Sequence, residues 1–121
     1  MKTAGEVLVA LGALEHLYIL FLEMVLWTTP RGRAVFGTTV EQAEQSAALA
    51  KNQGLYNGFL AAGLGWGLIA DEPIAFHFKV FFLACVVVAA VFGGATVSPR
   101  ILLVQGGPAA VGLVLVLLGG H

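Results

Sequence analysis

Charged side chains are scarce in this sequence. Six of its 121 residues are Lys or Arg and seven are Asp or Glu, so 11% are charged, whereas an average globular domain has about 25%. The net charge of −1 and the lack of clustered basic residues give no reason to expect a nucleic-acid partner. The single cysteine, Cys85, excludes an internal disulfide. A soluble globular protein is excluded too, because too few polar side chains are present to cover its surface.

Hydrophobic residues make up 59% of the chain and gather in four segments. The segments cover approximately residues 7–27, 54–70, 74–92 and 101–118. A helix needs about 20 apolar residues to cross the hydrocarbon core, and its backbone must satisfy its own hydrogen bonds there. The sequence therefore predicts an all-α fold: a four-helix transmembrane bundle with antiparallel up-down topology, forming one integral membrane domain over residues 1–121. We expect the first segment to be a membrane helix, because it is too long for a cleaved signal peptide.

The connections between these segments differ in length. Asp71-Glu72-Pro73 is short and predicts a hairpin, whereas residues 28–53 form a long polar connection. Within it, Pro30-Arg31-Gly32-Arg33 predicts a turn, and Thr38 with Glu41 has the spacing of a capping box. We therefore expect a helix from about Val40 that starts in water and continues into the second span.

Basic residues favour one orientation. Most fall in the first and third connections: Arg31, Arg33, Lys51 and Arg100. Because cytoplasmic loops are enriched in Lys and Arg, both termini are expected outside and the second helix is expected to extend into the cytoplasm.

The first span contains three ionisable residues, Glu15, His16 and Glu23. A charged group at the centre of a membrane helix costs about 2.5–3.5 kcal/mol on insertion scales, so such groups are candidates for function. At 100° per residue, His16 and Glu23 lie about 20° apart around the helix, and Glu15 lies about 80° from Glu23. The three residues are therefore expected to face the interior of the bundle.

Other polar residues are expected at matching depths in the neighbouring spans. Glu23 and the starts of spans two and four would form one layer of candidate ligand-binding residues: Asn52, Gln53, Tyr56, Asn57 and Gln105. His77 and Lys79 enter span three from the opposite end, and the Lys79 side chain is long enough to reach towards Glu15. Glu15 and His16 are candidates for an acid/base pair.

Each of these residues also has a structural interpretation. Lys79 can snorkel to the interface, and His77 can lie there as well. Buried amides often serve only as contacts between helices, and Glu15 can be a neutral hydrogen-bonding group. Metal ligation is disfavoured, because no motif such as His-Glu-x-x-His is present.

Glycine and proline positions predict how the helices pack. Two GxxxG spacings, Gly54 with Gly58 and Gly63 with Gly67, allow close helix approach inside the bundle or in a homo-oligomer. Pro108 cannot bond to the Val104 carbonyl and is expected to kink span four next to Gln105.

Four segments together resemble a known family: Leu14–Ile19, Glu23–Trp27, Asn52–Gly58 and Gln105–Ala109. They are similar to the bacterial family catalogued as domain of unknown function 1304 (DUF1304), which consists of small four-helix membrane proteins. The resemblance covers nearly the whole chain. It implies a multi-pass protein of the bacterial inner membrane and carries no established activity or cofactor.

Three functions are compatible with these features. The first is a polar cavity within the membrane that binds, and can modify, a small or lipid-like molecule. The second is a proton-coupled exporter resembling the small multidrug resistance transporters, which also carry a Glu in their first helix but have shorter loops. The third is a scaffold or assembly subunit, in which the polar groups only connect helices.

Overall fold

The protein, described by a computed structural model for residues 2–97 and 99–119, is helical and has no strand within those residues. Five helices follow one another: α1 (Lys2–Met24), α2 (Pro30–Phe36), α3 (Val40–Ile69), α4 (Ile74–Thr96) and α5 (Pro99–Gly119). The predicted all-α class is confirmed. The antiparallel four-helix bundle stays a prediction.

Three helices of the described chain, α1, α4 and α5, are long and apolar enough to cross a membrane. Their outward positions carry large hydrophobic side chains, such as Phe81, Phe92 and Leu118, which suit contact with lipid. The helix with the predicted second span, α3, does not belong to this set, because Tyr56, Asn57 and repeated glycines dilute its apolar half. The chain therefore has the composition of a membrane protein, and its fourth span stays a prediction.

Residues 30–33 form the start of a helix, so the predicted turn is wrong. Pro30 occupies the first helical position of α2, where its missing N–H is no loss. The Thr29 hydroxyl caps the helix by accepting a hydrogen bond from the Gly32 amide at 3.3 Å. Gly37, with φ of 68°, ends α2 in the left-handed conformation that glycine adopts easily.

Helix α3 begins at the predicted Val40, but its capping box lies one residue later than expected. The Gln42 amide donates to the Thr39 hydroxyl at 3.1 Å, and the Thr39 amide donates to the Gln42 side-chain oxygen at 3.0 Å. Gln replaces Glu in this reciprocal arrangement. The hydroxyl of Thr38 is buried and has no hydrogen-bond partner among the described residues.

The described residues divide into two compact units. One unit comprises Glu15–Phe59, and the other comprises the described residues before Glu15 and after Phe59. The second unit has the hydrophobic core, which brings together side chains of α1, α3, α4 and α5: Val9, Leu64, Leu83, Val86, Ala109 and Val116.

The two GxxxG pairs of α3 pack against different helices of the same chain. Gly54 and Gly58 lie against α1, where a Cβ atom at Gly58 would be 2.8 Å from a Leu20 methyl group. Gly63 and Gly67 lie against α4, where a Cβ atom at Gly63 would overlap the Phe82 ring. Packing within one chain accounts for both spacings, and the predicted homo-oligomer stays a prediction.

Helix α5 contains a widened turn directly before Pro108. Residues Leu102–Gly106 are π-helical, and the Gly107 amide bonds to the carbonyls of Leu102 and Leu103. A proline cannot donate the next bond of an α-helical ladder, and the π turn changes the hydrogen-bond pattern at this point. The irregularity beside Gln105 is therefore a π segment, and the predicted kink stays a prediction.

We predict that Gly32→Ala destabilises the protein by about 1–3 kcal/mol, as overpacking usually does. A Cβ atom there would overlap the Leu26 carbonyl oxygen, and that backbone cannot move freely because it leads out of α1. Gly65→Ala is the matched control, since a Cβ atom at Gly65 meets nothing within 4 Å. Thermal unfolding in detergent measures both variants. Equal midpoints for the two variants would contradict the close approach at Gly32.

Candidate functional site

A buried pair of polar side chains lies in the unit Glu15–Phe59. The Glu23 carboxyl group is near the end of α1, and the residue is only 6% exposed. The Asn57 Nδ2 atom on α3 donates a 2.6 Å hydrogen bond to Glu23 Oε1, and it lies 3.2 Å from the backbone carbonyl of Gln53. This short bond ties α1 to α3 through two polar groups.

Glycine makes this pair possible by bringing the two helices close together. A Cβ atom at Gly54 would lie 3.3 Å from both Glu23 Cβ and the Leu20 carbonyl oxygen, and it would overlap the Met24 side chain. The backbones of α1 and α3 therefore approach closely beside Glu23. The short Asn57 side chain can then span the gap to the Glu23 carboxyl group.

His16 lies on the same buried stripe of α1 as Glu23. Val9, His16 and Glu23 are spaced by seven residues, and they are 0%, 1% and 6% exposed. Residues seven apart lie about 20° apart around a helix, so an apolar position of the stripe is followed by two polar ones. Along the axis, His16 and Glu23 are separated by about 10 Å at 1.5 Å per residue.

Glu15 occupies a less buried position than His16. It is partly exposed, as expected for a residue 100° around the helix from a buried neighbour. Adjacent residues of a helix do not face each other. An acid/base pair of Glu15 and His16 would therefore need a third group, such as a ligand, between the two side chains.

Three of the predicted ligand-binding residues do not join the buried pair. The side chains of Asn52, Gln53 and Tyr56 are exposed, and the Tyr56 ring lies 6.0 Å from that of Phe59. Helical geometry explains the difference: Asn52 and Tyr56 lie about 160° around α3 from Gly54, which faces α1. Their predicted role in binding stays a prediction.

The remaining predicted residues belong to the second unit. Lys79 is buried, Gln105 is half-buried within the π segment of α5, and His77 is exposed. The expected approach of Gln105 to Glu23, and of Lys79 to Glu15, stays a prediction. His77 lies three residues into α4, at an exposed position that suits the interface.

Two further contacts hold the connection after α1, and the sequence reasoning missed both. The Tyr18 hydroxyl accepts hydrogen bonds from the guanidinium of Arg31, whose Nε lies 3.1 Å away and whose Cζ lies 5.7 Å from the ring centroid. The Trp27 indole donates to the Ser46 hydroxyl at 3.0 Å. Tyr and Trp near a basic connection are typical of a membrane interface, which is the signal that could have indicated these contacts.

The chemistry available at the site is that of a hydrogen-bond acceptor. A carboxylate offers two oxygen atoms with about four acceptor positions. Asn57 is the only described residue that donates a hydrogen bond to the carboxyl group of Glu23. Within residues 2–97 and 99–119, no three His, Cys, Asp or Glu residues form a cluster that could hold a metal ion.

Comparison with known proteins identifies the family. The family model described as "Protein of unknown function (DUF1304)" matches residues 10–117. The chain belongs to this family. The predicted resemblance is therefore confirmed.

The chain is also similar to a bacterial protein over most of its length. The chain is 32% identical over 110 residues to the uncharacterized protein YpaA of Lactococcus lactis, and the match covers 89% of this chain and 92% of that protein. No solved structure matches the chain. The family match includes His16, Glu23 and Asn57, but neither the family description nor the relative's name carries a ligand or a reaction.

We predict that Asn57→Ala lowers stability by about 1–3 kcal/mol, the usual cost of leaving a buried polar group without its partner. Asn52→Ala is the matched control, because it removes an exposed amide from the same helix. The measurement is thermal unfolding in lipid nanodiscs. A double variant with Glu23→Ala, which removes the acceptor, should lose less than the sum of the two single variants, and strict additivity would show that the Glu23–Asn57 bond contributes nothing.

Proposed function

We propose that this protein binds a small or lipid-like molecule in the membrane, at a polar site centred on Glu23, Asn57 and His16. The observation that carries the proposal is the buried Glu23 carboxyl group with a single described hydrogen-bond donor, Asn57 Nδ2 at 2.6 Å. If the side chain at position 23 only connected the two helices, an amide would do so equally well. A carboxyl group in this position offers further acceptor capacity that a ligand can use.

The chemistry of the site restricts the ligand. An acceptor-rich carboxyl group favours a molecule with a hydroxyl or amino group, which donates to Glu23. The surroundings are apolar, because Leu22 on the same turn is buried and Leu20 and Met24 pack against α3. A molecule with one donor-bearing head and an apolar body fits both features, and such a molecule dissolves in the bilayer from which it enters.

The proposed site also allows a reaction on the bound molecule. His16 lies on the same stripe as Glu23 and is 1% exposed. Imidazole can take up or release a proton near neutral pH, so His16 can act as a general base or acid once a ligand lies beside it. Binding is the first step in either case, and it is the step that can be tested without knowing the reaction.

We predict that Glu23→Gln reduces the amount of co-purified molecule at least tenfold, since a hydrogen bond to a charged group contributes about 1.5–3 kcal/mol and 1.4 kcal/mol corresponds to a factor of ten. The protein is extracted from membranes with its bound molecules, and native mass spectrometry compares adduct occupancy. Glu44→Gln is the matched control, because Glu44 is an exposed carboxylate on α3.

Two results would contradict the proposed function. One is a wild-type protein without any adduct, and the other is an adduct of equal occupancy on wild type and Glu23→Gln. Export is the competing function, and it predicts a different result. Cells that produce the wild type would remove lipophilic cations, and Glu15→Gln would abolish that removal.

A further inference from the structure

The Arg31 side chain lies against the outer face of α1. The Tyr18 hydroxyl accepts hydrogen bonds from Arg31 Nε, at 3.1 Å, and from Arg31 Nη2, and the guanidinium carbon lies 5.7 Å from the centroid of the Tyr18 ring. Both residues are exposed. Because Arg31 belongs to α2, its side chain joins this short helix to the side of α1.

The contact with Tyr18 holds the guanidinium well inside the end of α1. Tyr18 precedes the last residue of α1, Met24, by about 9 Å along the axis. Helix α1 is long and apolar enough to cross a membrane. The guanidinium is therefore held beside the helix itself rather than in the water beyond its end. A cation at such a position is costly unless an anion accompanies it.

No acidic residue of the described chain neutralises Arg31. Its side-chain contacts within residues 2–97 and 99–119 are with Tyr18, and its Nη1 group has no hydrogen-bond partner there. A tyrosine hydroxyl accepts hydrogen bonds without providing a full negative charge. Tyr18 therefore fixes the position of the positive charge but does not compensate it.

The surface of α1 next to Tyr18 is apolar. Phe21 and Val25 are both exposed, and the Val25 amide bonds to the Phe21 carbonyl at 2.9 Å, which continues the helical turn beyond Met24. At 100° per residue, Phe21 lies about 60° and Val25 about 20° around the helix from Tyr18. The three side chains therefore share one outward sector, and the Arg31 guanidinium is bound within it.

We propose that Arg31 and Tyr18 form a surface site for an anionic phospholipid of the bilayer. The guanidinium binds the lipid phosphate, an anion that matches its planar N–H groups, and the Tyr18 hydroxyl positions the guanidinium on α1. The acyl chains of the lipid lie along Phe21 and Val25. A phospholipid fits this surface better than free phosphate, because the positive charge and the apolar sector adjoin each other.

This lipid site is separate from the proposed Glu23 site. Tyr18 lies about 140° around α1 from Glu23, and Glu23 is buried whereas Tyr18 is exposed. Arg31 offers donors to an anion, and Glu23 offers acceptors to a donor-bearing group. The two sites can therefore be tested independently.

Arg33 provides a matched control on the same helix. It lies about 160° around α2 from Arg31, and its Nε donates to the Thr28 carbonyl oxygen at 3.4 Å. Arg33→Gln therefore removes the same charge from α2 and leaves the contact between Arg31 and Tyr18 in place.

The experiment measures lipid occupancy on purified, delipidated full-length protein by native mass spectrometry. Three probes are used separately: phosphatidylglycerol, phosphatidylcholine with the same acyl chains, and inorganic phosphate. The variants are Arg31→Gln, Tyr18→Phe and Arg33→Gln, and Glu23→Gln controls for the proposed function. Circular dichroism checks that each variant keeps its helical content.

We expect wild type, Arg33→Gln and Glu23→Gln to bind phosphatidylglycerol in clear preference to phosphatidylcholine. Arg31→Gln should lower phosphatidylglycerol occupancy about fivefold, the contribution of one basic residue at an anionic lipid surface. Tyr18→Phe should lower it as well, because the guanidinium loses the acceptor that holds it on α1.

Three results would overturn the lipid site. The first is an equal loss of phosphatidylglycerol in Arg31→Gln and Arg33→Gln, since general attraction to positive charge would then explain the binding. The second is equal occupancy of the two lipids on wild type. The third is binding of inorganic phosphate that depends on Arg31 while phosphatidylglycerol binding does not, which would assign the guanidinium to a free anion.

Discussion

Close contact between helix backbones is the condition on which the described structure depends. Lipid tails are as apolar as leucine, so helices in a membrane associate through packing and hydrogen bonds rather than through the hydrophobic effect. Helix α3 meets this condition with two pairs of glycines, Gly54 with Gly58 and Gly63 with Gly67, which lie against α1 and α4, respectively. The same approach allows the Glu23–Asn57 bond and makes room for the Lys79 side chain. The glycines that allow close helix packing therefore also make room for the buried polar side chains.

The buried carboxyl group of Glu23 is an acceptor that one amide partly satisfies. An apolar replacement at this position would be simpler for stability, since buried charges rarely add to it. The presence of Glu23 at a buried position, in a small protein with few charged residues, favours a role in binding, which is the basis of the proposed function.

Much of the fold could be predicted from the sequence, because hydropathy and helical period depend on local residues. The start of α3 followed from Val40, and the end of α3 and the start of α4 followed from the short connection at Asp71–Pro73. Helix α2 was missed, because Pro30 and Gly32 together resemble a turn and only the hydrogen bond of Thr29 distinguishes a helix start. At the site, the stripe of His16 and Glu23 followed from a seven-residue spacing. Asn52 and Tyr56 were grouped with them by depth alone, and their angle around α3 places them on the far side.

The π segment Leu102–Gly106 has a consequence for comparing this chain with its relatives. A π turn contains one residue more than an α turn, so it corresponds to a single inserted residue that the helix has absorbed. Residues after the insertion are rotated by about 100° relative to an uninterrupted helix. A family member with a plain α-helix here would align with a one-residue gap before its equivalent of Pro108. The residues before the gap and the residues after it would then have to be assigned to helix faces separately.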